Sequence, residues 1–138
     1  MVSETLGESY GHRFATEVLD YDTKLDPDSK YRSFLQGFDS VYYDKKTGET
    51  VIGEFKGQDA KESDKQKKIR WTPDVCEQII NRKGVYARAS QAERDLAFDI
   101  KKEFDRGMVR YEVIRTKFDG KADDIYTVVE KRKYSDHE

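Results

Sequence analysis

The chain has 138 residues, enough for one domain and too few for two ordinary ones. Charged residues make up 39% of it and the formal net charge is −2, so there is no global attraction to nucleic acid or to anionic membranes, and local patches must carry any such role. Cys76 is the single cysteine, which excludes an internal disulfide and a Cys-based zinc centre. No apolar run approaches the roughly 18 residues of a membrane span, and the opening "MVSETLGESY" lacks the charged and apolar regions of a signal peptide. The chain reads as soluble.

Residues 3–20 are predicted to be a helix. Leu6, Tyr10, Phe14 and Val18 form one apolar side at helical spacing, extended by Ala15 and Leu19. Ser9, His12, Arg13, Thr16 and Asp20 fall on the polar side, and Glu8 and Glu17 lie at the borders of the apolar face. "DYDTKLDPDSK" reads as a loop, with Asp26-Pro27 as its turn signal. A short strand is expected over Tyr31 to Leu35. Next, "GFDSVYYDKKTGETVIGEFKGQ" reads as a β-hairpin turning at Lys45-Lys46-Thr47-Gly48. "GQDAKESDKQKKIR" is a charged stretch holding Lys61, Lys65, Lys67, Lys68 and Arg70.

A second helix is expected from Thr72 as N-cap, with Pro73 in its first turn, a Val75, Cys76, Ile79 and Ile80 stripe, and Gly84 as its end. Cys76 is expected to be a small buried residue and Trp71 a core residue. A third helix begins at the capping box Ser90-Gln91-Ala92-Glu93 and stops at Gly107. "MVRYEVIRTKF" and "IYTVVEKRKY" alternate as two closing strands. The order α-β-β-β-α-α-β-β describes a single α/β (α+β) domain over residues 1–138, built on a small central mixed sheet flanked by helices.

The hairpin raises a question. With Lys45 to Gly48 as the loop, Asp44 pairs with Glu49, and counting outward sets Asp39 opposite Glu54. Opposed residues share a face of the sheet, and Lys56, two positions after Glu54, shares it too. Two opposed carboxylates repel unless a positive group lies between them. A hard divalent cation, Mg²⁺ or Mn²⁺, held by carboxylates and waters would serve, with the lysine beside an attacking water. The alternative is an exposed sheet face on which Lys56 is a salt-bridge partner.

"FDSVYYDKKTGETVIGEFKGQ" resembles the core of the PD-(D/E)xK nuclease superfamily, which carries an acid at the start of one strand and Glu-x-Lys at the end of the next. Gly37-Phe38-Asp39 stands at the first acid, with Phe38 where the family has its proline, and Glu54-Phe55-Lys56 matches the second part. "LGESYG" is similar to the family's glutamate on the first helix. The likeness runs from about Leu6 to Gln58 and continues in the α-then-β order that follows. Within the superfamily the layout looks most like the C-terminal nuclease domains of bacterial polymorphic and contact-dependent toxins, and related domains occur in resolvases and restriction enzymes.

The resemblance implies a restriction-endonuclease-like core and a metal-dependent endonuclease acting on DNA, or on RNA such as tRNA, with DNA slightly favoured. Asp39 and Glu54 would hold Mg²⁺ or Mn²⁺ together with the Phe55 carbonyl, and Lys56 would sit beside the attacking water. Glu8 would orient a water of the metal shell or complete it, with Glu17 as its rival. Gln58, on the same face as Lys56, could contact water or phosphate or be an exposed polar residue. The basic arm Lys61, Lys65, Lys67, Lys68 and Arg70 reads either as a solvated loop or as an arm that contacts phosphates near the metal. Arg110, Arg115, Lys117 and the Lys131 to Lys133 run are the other basic positions, of which Arg110 and the Lys131 to Lys133 run could form a backbone-tracking stripe. A toxin domain further implies a cognate immunity protein, action in the cytoplasm of a target cell, and delivery within a larger secreted protein. A homodimer is compatible with it, and a membrane partner is not expected. His12 reads as a surface residue. Two alternatives stay open: a catalytically silent nucleic-acid-binding module, and a small α/β protein-interaction domain.

Overall fold

The structure, a computed structural model, describes residues 10–25, 31–57, 71–119 and 124–131. It is an α+β fold around a five-stranded mixed sheet of order β1-β2-β3-β4-β5. The strands are β1 (Asp22–Leu25), β2 (Ser40–Asp44), β3 (Glu49–Gly57), β4 (Val109–Asp119) and β5 (Asp124–Lys131). Neighbouring strands are antiparallel except β3 and β4, which are parallel. Helix α1 covers residues 10–18, α2 spans Trp71–Ile80 and α3 spans Gln91–Asp105. No helix among the described residues is long and apolar enough to cross a membrane.

The β2–β3 hairpin has the expected register. Asp44 pairs with Glu49 and Ser40 with Gly53, and the turn closes with Gly48 in the left-handed region at φ 77°, where glycine carries no Cβ penalty. The strands alternate, so the sheet has two distinct faces. Val41, Ile52, Tyr111 and Val113 face α2 and α3, in a core with Phe34, Phe38, Val75, Cys76, Ile79, Ala97 and Ile100. Tyr42, Val51, Phe55 and Ile114 face the other way and pack with Ala15 and Tyr21. The chain passes from β3 through α2 and α3 to β4, the long crossover that a parallel pair needs.

Several local expectations change. The first strand lies at Asp22–Leu25, inside the stretch read as a loop. It is a short edge strand with Asp22, Thr23 and Lys24 exposed and a register shift between Thr23 and Leu25, a polar, irregular edge with little hydrophobic signal. Tyr31 to Leu35 is not a strand. Phe34–Gln36 is a 3₁₀ turn, and Phe38 N–H donates to the Phe34 carbonyl at 3.1 Å, so both rings point into the core.

Helix α1 presents a different face from the one expected. Val18 is 64% exposed while Ala15 is fully buried. Phe14–Val18 is π-helical, and Leu19 N–H reaches back five residues to the Phe14 carbonyl, which shifts the phase of every side chain after it. Gly11 is buried against the Phe55 ring, where an added Cβ would lie 2.5 Å from Cδ1.

Thr72 is not an N-cap. It lies inside α2, buried, and its hydroxyl has no hydrogen-bond partner among the described residues. Helix α2 ends at Ile80 rather than at Gly84, with Arg82 in the left-handed region at φ 50° and Lys83 N–H donating to the Gln78 carbonyl. The capping box of α3 forms as expected. Its Glu93 is buried and also accepts the Phe34 N–H at 2.6 Å, joining α3 to the turn before β2. Cys76 is buried in the apolar core, which pushes its thiol up to about 12.

Candidate functional site

Glu54 and Lys56 lie near the C-terminal end of β3, on the face that packs against α2 and α3. Lys56 Nζ is 3.7 Å from Glu54 Oε1. Glu54 is 6% exposed, so this ammonium stands against a carboxylate largely removed from water. Tyr111, one strand over on β4, donates its hydroxyl to Glu54 Oε2 at 3.3 Å.

Asp39 immediately precedes β2. The β2–β3 register carried one step beyond Ser40 and Gly53 sets Asp39 opposite Glu54. Its Oδ2 accepts the Phe55 N–H at 2.8 Å, so the side chain continues the ladder where the β2 backbone leaves it. In an extended strand the N–H and C=O of one residue point to the same side. The Phe55 carbonyl therefore faces the edge on which Asp39 lies. Phe55 itself points to the opposite face, under Gly11 of α1.

This donor set consists of two carboxylates and a backbone carbonyl, all oxygen. It fits a hard cation such as Mg²⁺ or Mn²⁺, which takes one or two carboxylates and completes its shell with waters and phosphate oxygens. It does not fit a nitrogen- and sulfur-rich zinc centre. Among the described residues no three His, Cys, Asp or Glu side chains converge as a metal group. Glu8 lies outside the described residues, as do Gln58, Lys61, Lys65, Lys67, Lys68 and Arg70. Glu17 is exposed and 3.8 Å from Arg13 on α1.

The parallel pairing of β3 and β4 adds residues that the sequence left unplaced. Arg115 is the direct partner of Lys56, and Glu54 partners Val113. Arg115, and Lys117 two positions on, therefore follow Lys56 on the same face, both half-buried. Hydrophobic alternation marks β4 as a strand, but only the tertiary crossover decides which strand it joins and in which direction.

Arg110 does not join that row. It sits on the other face, near the turn end of the hairpin, bonded to Asp44 at 3.0 Å, Glu49 at 2.7 Å and Glu112 at 3.1 Å. Tyr21 completes the group, receiving Arg110 Nη2 at 2.8 Å and donating to Glu112 Oε1 at 2.8 Å. Burial and the bond to Glu112 push the Tyr21 phenol up to about 12. Burial opposes the charge of Asp44, yet the Arg110 hydrogen bond, the Lys46 N–H and the Arg110 charge outweigh it and hold its carboxyl below the usual range. Arg110 is thus a structural clamp that ties β2, β3 and β4 to Tyr21, just before β1. His12 is likewise engaged: Nδ1 lies 2.7 Å from the hydroxyl of buried Tyr42, with the rings stacked. No protein-family model matches this chain, and no curated protein or solved structure does either.

Proposed function

We propose that this domain is a metal-dependent nuclease that hydrolyses phosphodiester bonds in nucleic acid. The observation that carries the proposal is the juxtaposition of the half-buried Lys56 and the buried Glu54 at 3.7 Å, beside an Asp39 anchored on the Phe55 N–H between them. Asp39, Glu54 and the Phe55 carbonyl would hold Mg²⁺ or Mn²⁺. That ion would neutralise phosphate charge and make water a better nucleophile. Lys56 polarises the attacking water and stabilises the negative charge that develops on the phosphoryl oxygens, from a partly desolvated position where electrostatics are strong. Arg115 and Lys117, next along the same face, supply positive charge for the flanking phosphates.

DNA is the favoured substrate over RNA by superfamily frequency alone. The resemblance is also what supports a toxin domain delivered within a larger protein, acting in a target cell's cytoplasm and held in check by an immunity protein. A second reading is favoured by one observation: Lys56 pairs with Glu54 and Asp39 accepts the Phe55 N–H, so each of these side chains already has a protein partner, as a binding module without chemistry would require. Incubation of the protein with supercoiled plasmid and with total tRNA, each with Mn²⁺ and with EDTA, separates the two. Metal-dependent cleavage supports the nuclease. Retention of nucleic acid with no cleavage in either buffer supports the silent module.

A further inference from the structure

We infer that Tyr111 is the residue that positions Glu54 for metal binding, an inference that rests on the nuclease reading above. Tyr111 is 1% exposed, and its hydroxyl donates to Glu54 Oε2 at 3.3 Å. An ionised carboxylate has four acceptor sites and rotates freely about its last torsion unless donors hold it. Here Tyr111 lies at one oxygen and Lys56 at the other, so both side chains contribute to the orientation of the carboxylate plane.

The Tyr111 ring is itself held. Trp71 meets it edge-on, with centroids 5.7 Å apart and planes at 81°. Trp71 also meets Phe38 edge-on at 5.1 Å, and Phe38 immediately precedes Asp39. One aromatic row, Phe38–Trp71–Tyr111, therefore runs from the backbone of one acid to the carboxylate of the other. Edge-to-face packing of this kind fixes ring orientation as well as contact area. The row fixes where Glu54 presents its carboxylate relative to Asp39, and Trp71 is the wedge at the start of α2 that maintains it. A hydroxyl that orients a ligand in this way acts from behind the ligand, and loss of such a partner commonly weakens metal affinity about 10–100-fold.

Tyr111→Phe keeps the ring and removes only the hydroxyl. The test is Mn²⁺ titration calorimetry on the intact chain for wild type and Tyr111→Phe, with cleavage kinetics alongside. The expected result is roughly tenfold weaker Mn²⁺ binding, with kcat reduced and KM for nucleic acid unchanged. Mn²⁺ affinity equal to wild type in folded Tyr111→Phe overturns the inference and leaves the nuclease reading standing. Wild type that binds no Mn²⁺ overturns the nuclease reading and this inference with it. Should Tyr111→Phe fail to fold, Trp71→Phe takes its place. It retains the Tyr111 hydroxyl but shortens the wedge, and its Mn²⁺ affinity is expected to fall in the same direction by less; affinity equal to wild type overturns the inference.

Discussion

Asp39 Oδ2 accepts the Phe55 N–H at 2.8 Å, so the first acid of the candidate site also continues the β2–β3 ladder. The two roles separate by substitution. Asp39→Ala leaves that N–H without its acceptor and is expected to cost about 1–3 kcal/mol. Asp39→Asn keeps an acceptor oxygen and relieves repulsion with Glu54, so it is expected to melt at or above wild type in EDTA. Thermal melts of the three proteins check this, and an Asn variant as unstable as the Ala variant would contradict it.

Gly11 of α1 carries the second prediction. An added Cβ would lie 2.5 Å from Phe55 Cδ1, 2.9 Å from Cε1 and 3.3 Å from Ile114 Cγ2. Phe55 is buried and cannot swing away, so Gly11→Ala is expected to destabilise by about 1–3 kcal/mol as an overpacked site. The Phe55 backbone lies between Glu54 and Lys56, so the displacement reaches the site, and Mn²⁺ affinity should fall as well. Urea denaturation together with calorimetry reads both effects. A variant as stable as wild type would mean that α1 does not press on β3 as described.

Arg110 fixes the sign of a pH dependence. The Asp44 carboxyl is held below its ordinary value, so it contributes stability above its unfolded pKa, and that stability is lost as pH falls through its lower folded value. Wild type should therefore lose stability below about pH 4. Arg110→Met leaves Asp44, Glu49 and Glu112 without their cation. It is expected to cost about 3–5 kcal/mol near neutral pH, and to recover part of this on mild acidification as the carboxylates take up protons. Melting temperature followed from pH 7 to pH 4 tests the sign, and parallel curves for the two proteins would refute it.

The hairpin and its register were legible in the sequence because the Lys45–Gly48 turn and the flanking alternation agree with each other and with the buried core. The α3 cap was legible for the same reason: Ser90 and Glu93 are a local, reciprocal pair. The edge strand Asp22–Leu25 was not, because its stability comes from pairing with β2 and its side chains are mostly polar. The exposed Val18 was misplaced because a single π turn breaks the 100° phase on which periodicity relies. In the site, Asp39, Glu54 and Lys56 could be counted into alignment along one hairpin. Tyr111 and Arg115 could not, since the parallel β3–β4 pairing that sets them beside Glu54 and Lys56 is made across a long helical crossover.

The most direct test of the account is Mn²⁺ binding and metal-dependent cleavage by wild type, Glu54→Gln and Lys56→Ala, with melting temperatures in EDTA to show that each is folded. Wild type is expected to bind Mn²⁺ and to cleave. Glu54→Gln should lose both. Lys56→Ala should lose cleavage by at least about 100-fold, since it removes charge stabilisation at the transition state, and should retain weakened Mn²⁺ binding, since it also removes one of the two side chains that orient the Glu54 carboxylate. Cleavage at the wild-type rate by a folded Glu54→Gln variant would contradict the assignment of this hairpin as the catalytic centre.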